Sequence, residues 1–568
     1  MNKFQVHLIF TIVATILLML GLNVIPLFDW DELNFAESAR EMVHTNNWLY
    51  TQIGFEPFWE KPPLFIWLQS LGIKLGGFSS TDPKLMFSPW VFKLPNVIAG
   101  IISVNLVYHI GSNVGKRMLG TFWAIAILFS FAPFIYWKSG IIDPVFNLFI
   151  FLAIYKWYQI SQASLNDERA HIYYFMSGIF LGLAVLTKGP VALLIVGLVI
   201  LITTLFRSKW HEIFDGKIIL TLVGFFTVLL LWIVPLIQAN GVDFFGHFIE
   251  YQITLFKGQI PNHNQPWFYH ILVLLVLCFP SAILALPHLI SNTIQDRNVD
   301  IWHLFMRTLF WVVLIIFSLA TTKIIHYSSL CWWPLTYFGA YQIYLIYTNR
   351  GKFPYWLNIP LFFVGITLMA ALWVIPLIAT IRPIPMALLS RMDSFSSEML
   401  LSIPKWNWLT LIPASLFTFW FLPWITMSFF GKKPNPLYLY ILSGLVALVT
   451  YFTILPSAAI SLQNPITKKI IQFRKKGEFL ETWGYKTYAL YFYGQLTPKD
   501  FEGHLPEHTL DESVIYPKQE SRRLHAHNPN NHNKMYVVTK NTFKGDESFY
   551  SKFKDFQHVS GYIIWERN

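Results

Sequence analysis

The chain is poor in charge, in cysteine and in nucleotide-binding motifs. Only 13% of its 568 residues are Asp, Glu, Lys or Arg, against roughly 25% in soluble domains. That deficit excludes one large soluble core. The two cysteines, Cys278 and Cys331, both fall inside apolar runs, which argues against a disulfide framework. Neither a P-loop nor a Rossmann fingerprint is present, and the basic loops are short. No nucleotide cofactor or nucleotide sugar is therefore expected. There is no internal repeat and no long low-complexity segment.

What the chain has is apolar length. It is 54% hydrophobic with a mean hydropathy of +0.46, and carries 23 Trp, 26 Tyr and 51 Phe, which suit interfacial belts. Stretches near the roughly 20 residues that a spanning helix needs recur along the chain. The reading is about 13 transmembrane helices, from Val6–Phe28 to Leu437–Ile460. The first run follows one lysine and has no cleavage site, so it is expected to be a retained helix. Net charge is +11. In a soluble chain that would point to nucleic acid. Here Lys116, Arg117, Arg207, Lys209, Lys217, Arg350, Lys352, Lys432 and Lys433 occupy alternate short loops, so membrane topology accounts for it and no nucleic-acid partner is expected.

The basic loops are assigned to the cytoplasm, which turns the 29–88 loop, the turns at Lys138–Asp143, Lys188 and Lys323–Tyr327, and the tail to the outside. The expected fold class is an all-α polytopic membrane protein over residues 1–460, followed by a small α/β outer domain over 461–568. Strands are expected near Thr487–Tyr493, Met535–Thr539 and Tyr562–Trp565. The tail's His525, His527 and His532 suit either a metal or a solvated loop.

The outer loop opens Asp29-Trp30-Asp31-Glu32 and ends Glu60-Lys61-Pro62-Pro63. Asp29 or Asp31 can cap a helix with Leu33, Ala36, Ala39 and Val43 on its apolar face, lying on the membrane surface. A second helix is expected from Pro62-Pro63 to Gly76. Capping acids and a snorkelling lysine explain this spacing too. The other outer turns add Lys93, Lys138, Asp143, Lys188, Lys323, His326 and Tyr327. Singly each reads as an interfacial anchor. Together they place cations and carboxylates on one face, where cations can neutralise a phosphate and a carboxylate can take a proton. With no nucleotide site, an activated sugar would arrive in the membrane on a polyprenyl phosphate.

Several segments resemble the superfamily of protein O-mannosyltransferases and aminoarabinose lipid A transferases. They are Asp31-Glu32 with Ala36-Glu37-Ser38-Ala39-Arg40-Glu41-Met42, Glu60-Lys61-Pro62-Pro63-Leu64, Leu94-Pro95, Ile142-Asp143-Pro144, the run from Gly182 to Thr187-Lys188-Gly189-Pro190, and Lys323-Ile324-Ile325-His326-Tyr327. The resemblance implies a GT-C fold and an inverting glycosyltransferase of the cell inner membrane with its catalytic face periplasmic. It implies Asp31, beside Glu32, as the catalytic carboxylate, and Lys61, Lys93, Lys188, Lys323 and Tyr327 toward the donor phosphate. Asp143 and Lys138 would shape the cavity. Glu60 would be a divalent-metal ligand, with Glu250, His263 or His270 as its companion. Asn34-Phe35 and Phe58 depart from the aminoarabinose pattern of Arg-Tyr and Tyr, which removes possible phosphate contacts. The expected acceptor is lipid A, another envelope glycolipid or a secreted protein. The alternatives are a protein O-glycosyltransferase, a lipid-linked sugar flippase and an envelope-assembly scaffold.

Overall fold

A computed structural model of the chain describes residues 2–163, 167–257, 265–290, 297–320, 322–381, 384, 386–485, 487–498, 535–545 and 547–568. His263, His525, His527 and His532 lie outside the described residues.

The first helix, α1 (Lys3–Met19), starts on a reciprocal cap between Asn2 and Gln5. It stops well short of Phe28, and the chain turns through Gly21 at φ 73°. The outer loop holds α2 (Asp31–Thr45), a short hairpin of β1 (Gln52–Ile53) and β2 (Glu56–Pro57), and α3 (Leu64–Leu75). Then come α4 (Trp90–Val114), α5 (Arg117–Leu128), α6 (Phe131–Trp137), α7 (Asp143–Gln162), α8 (Arg169–Lys188) and α9 (Val191–Arg207).

Among the described residues, seven helices are long and apolar enough to cross a membrane. They are α4, α8, Ile218–Asn240, Val299–Leu319, Tyr355–Thr380, Trp408–Phe429 and Leu437–Gln463. The α5–α6 pair, bent by 68°, would make an eighth. This is fewer than the thirteen expected. Three apolar helices, α1, α3 and α9, are shorter. The run expected to span Phe268–Ile290 is broken into Tyr269–Leu277, Ser281–Leu284 and Leu286–Ile290. Pro280 and Pro287 interrupt it, since proline removes a backbone donor and crowds the preceding turn.

Glycine brings neighbouring helices together. A Cβ on Gly178 would sit 2.0 Å from the Thr221 carbonyl oxygen, and one on Gly224 would sit 2.3 Å from that of Phe175. So α8 and Ile218–Asn240 pack backbone against backbone, as small residues allow in lipid.

The helix α2 is not the surface-lying helix that its pattern suggests. Glu32, Glu37, Arg40 and Glu41 are buried together with Leu33, Ala36 and Ala39. The polar side survives burial because it is paired. Arg40 forks onto Glu37 at 2.6 and 2.7 Å, and Glu41 accepts the Gly54 and Phe55 N–H groups at 2.7 and 2.8 Å. Burial raises the Glu41 carboxyl well above its ordinary value, with Glu37 adding to the shift.

The tail carries a four-stranded sheet in the order β3 (Phe479–Thr482), β4 (Met535–Lys540), β6 (Tyr562–Arg567), β5 (Phe553–Val559). The first pair is parallel and the others antiparallel. Two expected strands are found. The third, Thr487–Tyr493, is instead the helix Ala489–Gly494, with every residue buried. A short, continuously apolar run has no period to separate strand from helix. The helix Ile454–Lys475 runs through residue 461, where the tail was expected to begin.

Candidate active site

Four chain segments meet at one end of the helices. Asp31 is the first residue of α2, Asp143 the first of α7, and Lys188 the last of α8. His326 and Tyr327 lie in a 3-10 segment, Ile325–Cys331. Lys188 Nζ stands 2.5 Å from Asp143 Oδ1. His326 Nε2 lies 3.5 Å from Asp31 Oδ2 and 3.7 Å from Asp143 Oδ2. The imidazole therefore stands between two carboxylates. The Asp143 side chain is 4% exposed and that of Asp31 31% exposed, so Asp31 is the carboxylate that faces out. Both acids sit at helix N-termini and Lys188 at a helix C-terminus, the ends where the macrodipole favours each charge. Lys188 also lies over the Tyr327 ring, 5.1 Å from its centroid.

Burial lowers the His326 imidazole below its ordinary value. Asp143 opposes that, Lys188 adds to it, and Asp31 and Lys61 act in opposite senses. Burial, with Asp143, Asp31 and Glu60, raises the Tyr327 phenol. Tyr327 is thereby kept as a hydroxyl donor.

Lys61 is ion-paired with Glu60 at 2.7 Å and is 17% exposed at its side chain. The helix Val242–Lys257 holds this peptide in place. Its Gln252 donates to the Trp59 and Glu60 carbonyls at 2.9 and 3.2 Å. Next to Lys61 is a narrow recess lined by Tyr50, Phe58, Trp59, Trp232 and Phe244. Its aromatic walls place an apolar surface beside the Lys61 charge.

The other predicted cations are turned inward. Lys93 donates to the Leu22 and Ile25 carbonyls at 3.2 and 2.6 Å. Lys138 donates to those of Leu17, Leu18 and Leu20 at 3.1, 3.0 and 2.6 Å. The end of α1 and the irregular chain after it leave carbonyls without intrahelical partners in an apolar setting; Lys138 satisfies those of the helix end and Lys93 those of the chain beyond it. Lys93 is 1% exposed, and its ammonium holds the chain that follows α1. Lys138 likewise holds the end of α1. Lys323 donates to Ala320 O at 2.7 Å and is 8% exposed, so its ammonium also serves a backbone carbonyl.

Glu32 is held by backbone donors. It is 5% exposed, accepts the Phe28 N–H at 2.7 Å, and accepts the Gly140 N–H as well. Its carboxylate ties the outer loop to the turn before Asp143. Gln69 and Asn96, which the sequence did not mark, hold the same turn through the Gly140, Ser139 and Ile141 carbonyls.

The expected metal ligands do not gather. Glu60 carries Lys61. Glu250 is 61% exposed at its side chain, 3.7 Å from His247. His270 is buried against Ser328, 3.1 Å away. Among the described residues no three His, Cys, Asp or Glu side chains form a group able to hold an ion, Glu60, Glu250 and His270 included.

The architecture places the chain among polytopic membrane proteins with the fold of ArnT. The crystal structure of ArnT from Cupriavidus metallidurans bound to undecaprenyl phosphate superposes with a TM-score of 0.71 at 15% identity, covering 100% of this chain and 98% of that one. This is the GT-C fold that the motifs led us to expect. The family model described as dolichyl-phosphate-mannose-protein mannosyltransferase matches residues 60–237. The chain is 26% identical over 381 residues to the undecaprenyl phosphate-alpha-4-amino-4-deoxy-L-arabinose arabinosyl transferase of Enterobacter sp. (strain 638), covering 63% of each. It is 26% identical over 312 residues to the enzyme of that name from Pseudomonas aeruginosa (strain UCBPP-PA14), covering 54% of this chain and 53% of that one. The matches span less than two thirds of these relatives. The resemblance read from the motifs is thus found in sequence and in fold.

Proposed function

We propose that the chain is an integral membrane glycosyltransferase that moves a sugar from a polyprenyl-phosphate donor to lipid A or a related envelope glycolipid, with inversion. The observation that carries the reading is the cluster of Asp31, His326, Asp143 and Lys188, with Lys61 nearby, at one end of an ArnT-like bundle. The relatives' names support the donor type. The loop charges support an inner-membrane position with the cluster on the periplasmic face.

In this reaction an acceptor hydroxyl oxygen attacks the anomeric carbon. The bond from that carbon to the phosphate oxygen breaks, and its electron pair leaves on the phosphate. Asp31, the outward carboxylate, takes the hydroxyl proton. Lys61, Lys188 and the Tyr327 hydroxyl face the charge that develops on the leaving phosphate, where preorganised cations and donors act most strongly. Asp143 holds Lys188 in place, and His326 keeps the two carboxylates apart. The aromatic side chains beside Lys61 would border the donor's apolar chain. No step in this reading passes through a divalent ion. Lys93, Lys138, Lys323 and Glu32 act through the backbone.

A protein acceptor is the second reading, favoured by the match of residues 60–237 to the protein mannosyltransferase family model. The test is mass spectrometry of lipid A and of secreted proteins from wild type, a deletion and Asp31→Asn. Loss of a sugar-sized mass from lipid A in both mutants is expected, with Asp31→Asn present at normal abundance. Loss from proteins alone would move the acceptor to protein. An Asp31→Asn protein that still transfers would remove Asp31 from the chemistry.

A further inference from the structure

We propose that the C-terminal domain is part of the device that aims Asp31, with Asp29 as the positioning residue through which it acts. This rests on the reading of Asp31 as the reacting carboxylate. Three consecutive residues carry the argument. Trp30 has φ 81° and ψ −100°, left-handed backbone that a tryptophan adopts only when its surroundings impose it. Asp31 follows directly as the first residue of α2, and the Trp30 carbonyl accepts the Asn34 N–H at 3.0 Å. The direction of the Asp31 carboxylate is therefore set by how residues 29 and 30 are held.

They are held by the tail. The Thr487 hydroxyl donates to Asp29 Oδ2, and the Tyr488 N–H donates to Asp29 Oδ1 at 3.0 Å. The Tyr488 ring packs edge-on against the Trp30 indole, with centroids 5.7 Å apart. Gln463, with its carboxamide nitrogen toward Leu27 O at 3.0 Å, accepts the Asp29 N–H at 2.6 Å. Asp29 and the strained Trp30 are thus in contact with the end of the Leu437–Gln463 span and with Thr487 and Tyr488 beyond it.

The domain is also docked at places that do not touch this corner. Arg40 donates to Leu496 O at 2.7 Å, Gln495 donates to Asp82 O at 2.9 Å, and Phe92 meets Phe492 at 5.4 Å. Loosening the Asp29 clasp should leave the domain seated. Lys61, Lys188 and Tyr327 are carried by other segments. The clasp therefore governs turnover and not donor binding.

The test uses the full chain in lipid vesicles, with undecaprenyl-phosphate-linked 4-amino-4-deoxy-L-arabinose as donor and lipid A as acceptor. Thr487→Val is expected to lower kcat at least tenfold with the donor KM and undecaprenyl phosphate binding within twofold of wild type. Thr487→Ser, which keeps the hydroxyl, should recover the rate. Asp29→Asn combined with Thr487→Val should be no slower than the slower single variant. Wild-type kcat in Thr487→Val, or a loss of donor binding equal to the loss in rate, overturns the proposal. Should Thr487→Val fail to accumulate, Trp30→Gly decides. Glycine relieves the backbone and removes the ring contact, so kcat must fall while abundance holds, and an unchanged kcat overturns the proposal. A wild-type protein that transfers no sugar to lipid A or to protein overturns the enzymatic reading and this inference with it. A wild type that transfers at the same rate as Thr487→Val overturns the inference alone.

Discussion

Lys188 is the residue on which the polar cluster most depends. Its ammonium is 2.5 Å from a carboxylate that is 4% exposed. Removing one partner of a buried pair leaves the other charge uncompensated, at a cost of about 3–5 kcal/mol. Lys188→Met is expected to lower the melting temperature and to reduce transfer by about 10²–10³ per folded molecule. Adding Asp143→Asn should restore the melting temperature but not transfer, because it removes the stranded charge without replacing the cation. Thermal unfolding and transfer assays on the pair separate the two effects. His326 makes a prediction about pH. Its folded value lies below the ordinary one, so between the two the unfolded state binds more protons. Stability then rises with pH through that window and falls as the pH drops below about 6.5. His326→Asn should remove that part of the acid loss, read as melting temperature against pH for both proteins.

At the scale of elements, glycine decides which helices touch. A Cβ at Gly178 would meet the Thr221 carbonyl oxygen at 2.0 Å, whereas nothing lies within 4 Å of one at Gly197. Gly178→Ala is expected to push α8 from its partner helix, lowering yield and melting temperature, with Gly197→Ala close to wild type. Equal behaviour of the two in a membrane-extracted thermal assay would remove the close packing as the reason for Gly178. The end of α1 works by a different rule. There the helix stops inside apolar surroundings, Lys138 supplies a donor to its last carbonyls, and Lys93 does the same for Leu22 and Ile25 in the chain that follows. Lysines at a membrane face thus divide into those that look outward and those that finish a neighbouring helix.

The whole molecule is one coupled body at its outer end. Arg40 is 1% exposed, pairs with Glu37, and reaches across to Leu496 O. One side chain thereby joins the outer loop to the tail. Arg40→Met leaves Glu37 buried without its cation, which costs about 3–5 kcal/mol, and frees residues near Leu496. The expected result is faster cleavage of the tail in limited proteolysis and a lower melting temperature. A cleavage pattern and stability equal to wild type would mean that the tail is held without this link.

The sequence by itself determined the membrane class, the sign of its loops, the helices at 31–45 and 64–75, and the family motifs. These follow from hydropathy, charge and short-range spacing, which are local properties. It also marked Asp31, Asp143, Lys188 and Tyr327, because unusual residues at span ends need no distant partner to be noticed. Only the tertiary structure decided which lysines meet a carboxylate and which meet backbone carbonyls. Lys93 and Lys188 look alike in sequence, and the difference is made by the chain after α1, about seventy residues from Lys93. The burial of α2, the helix at 489–494 and the place of His326 between two carboxylates have the same origin. Each depends on what a remote segment brings to the contact, and a periodic pattern cannot carry that information.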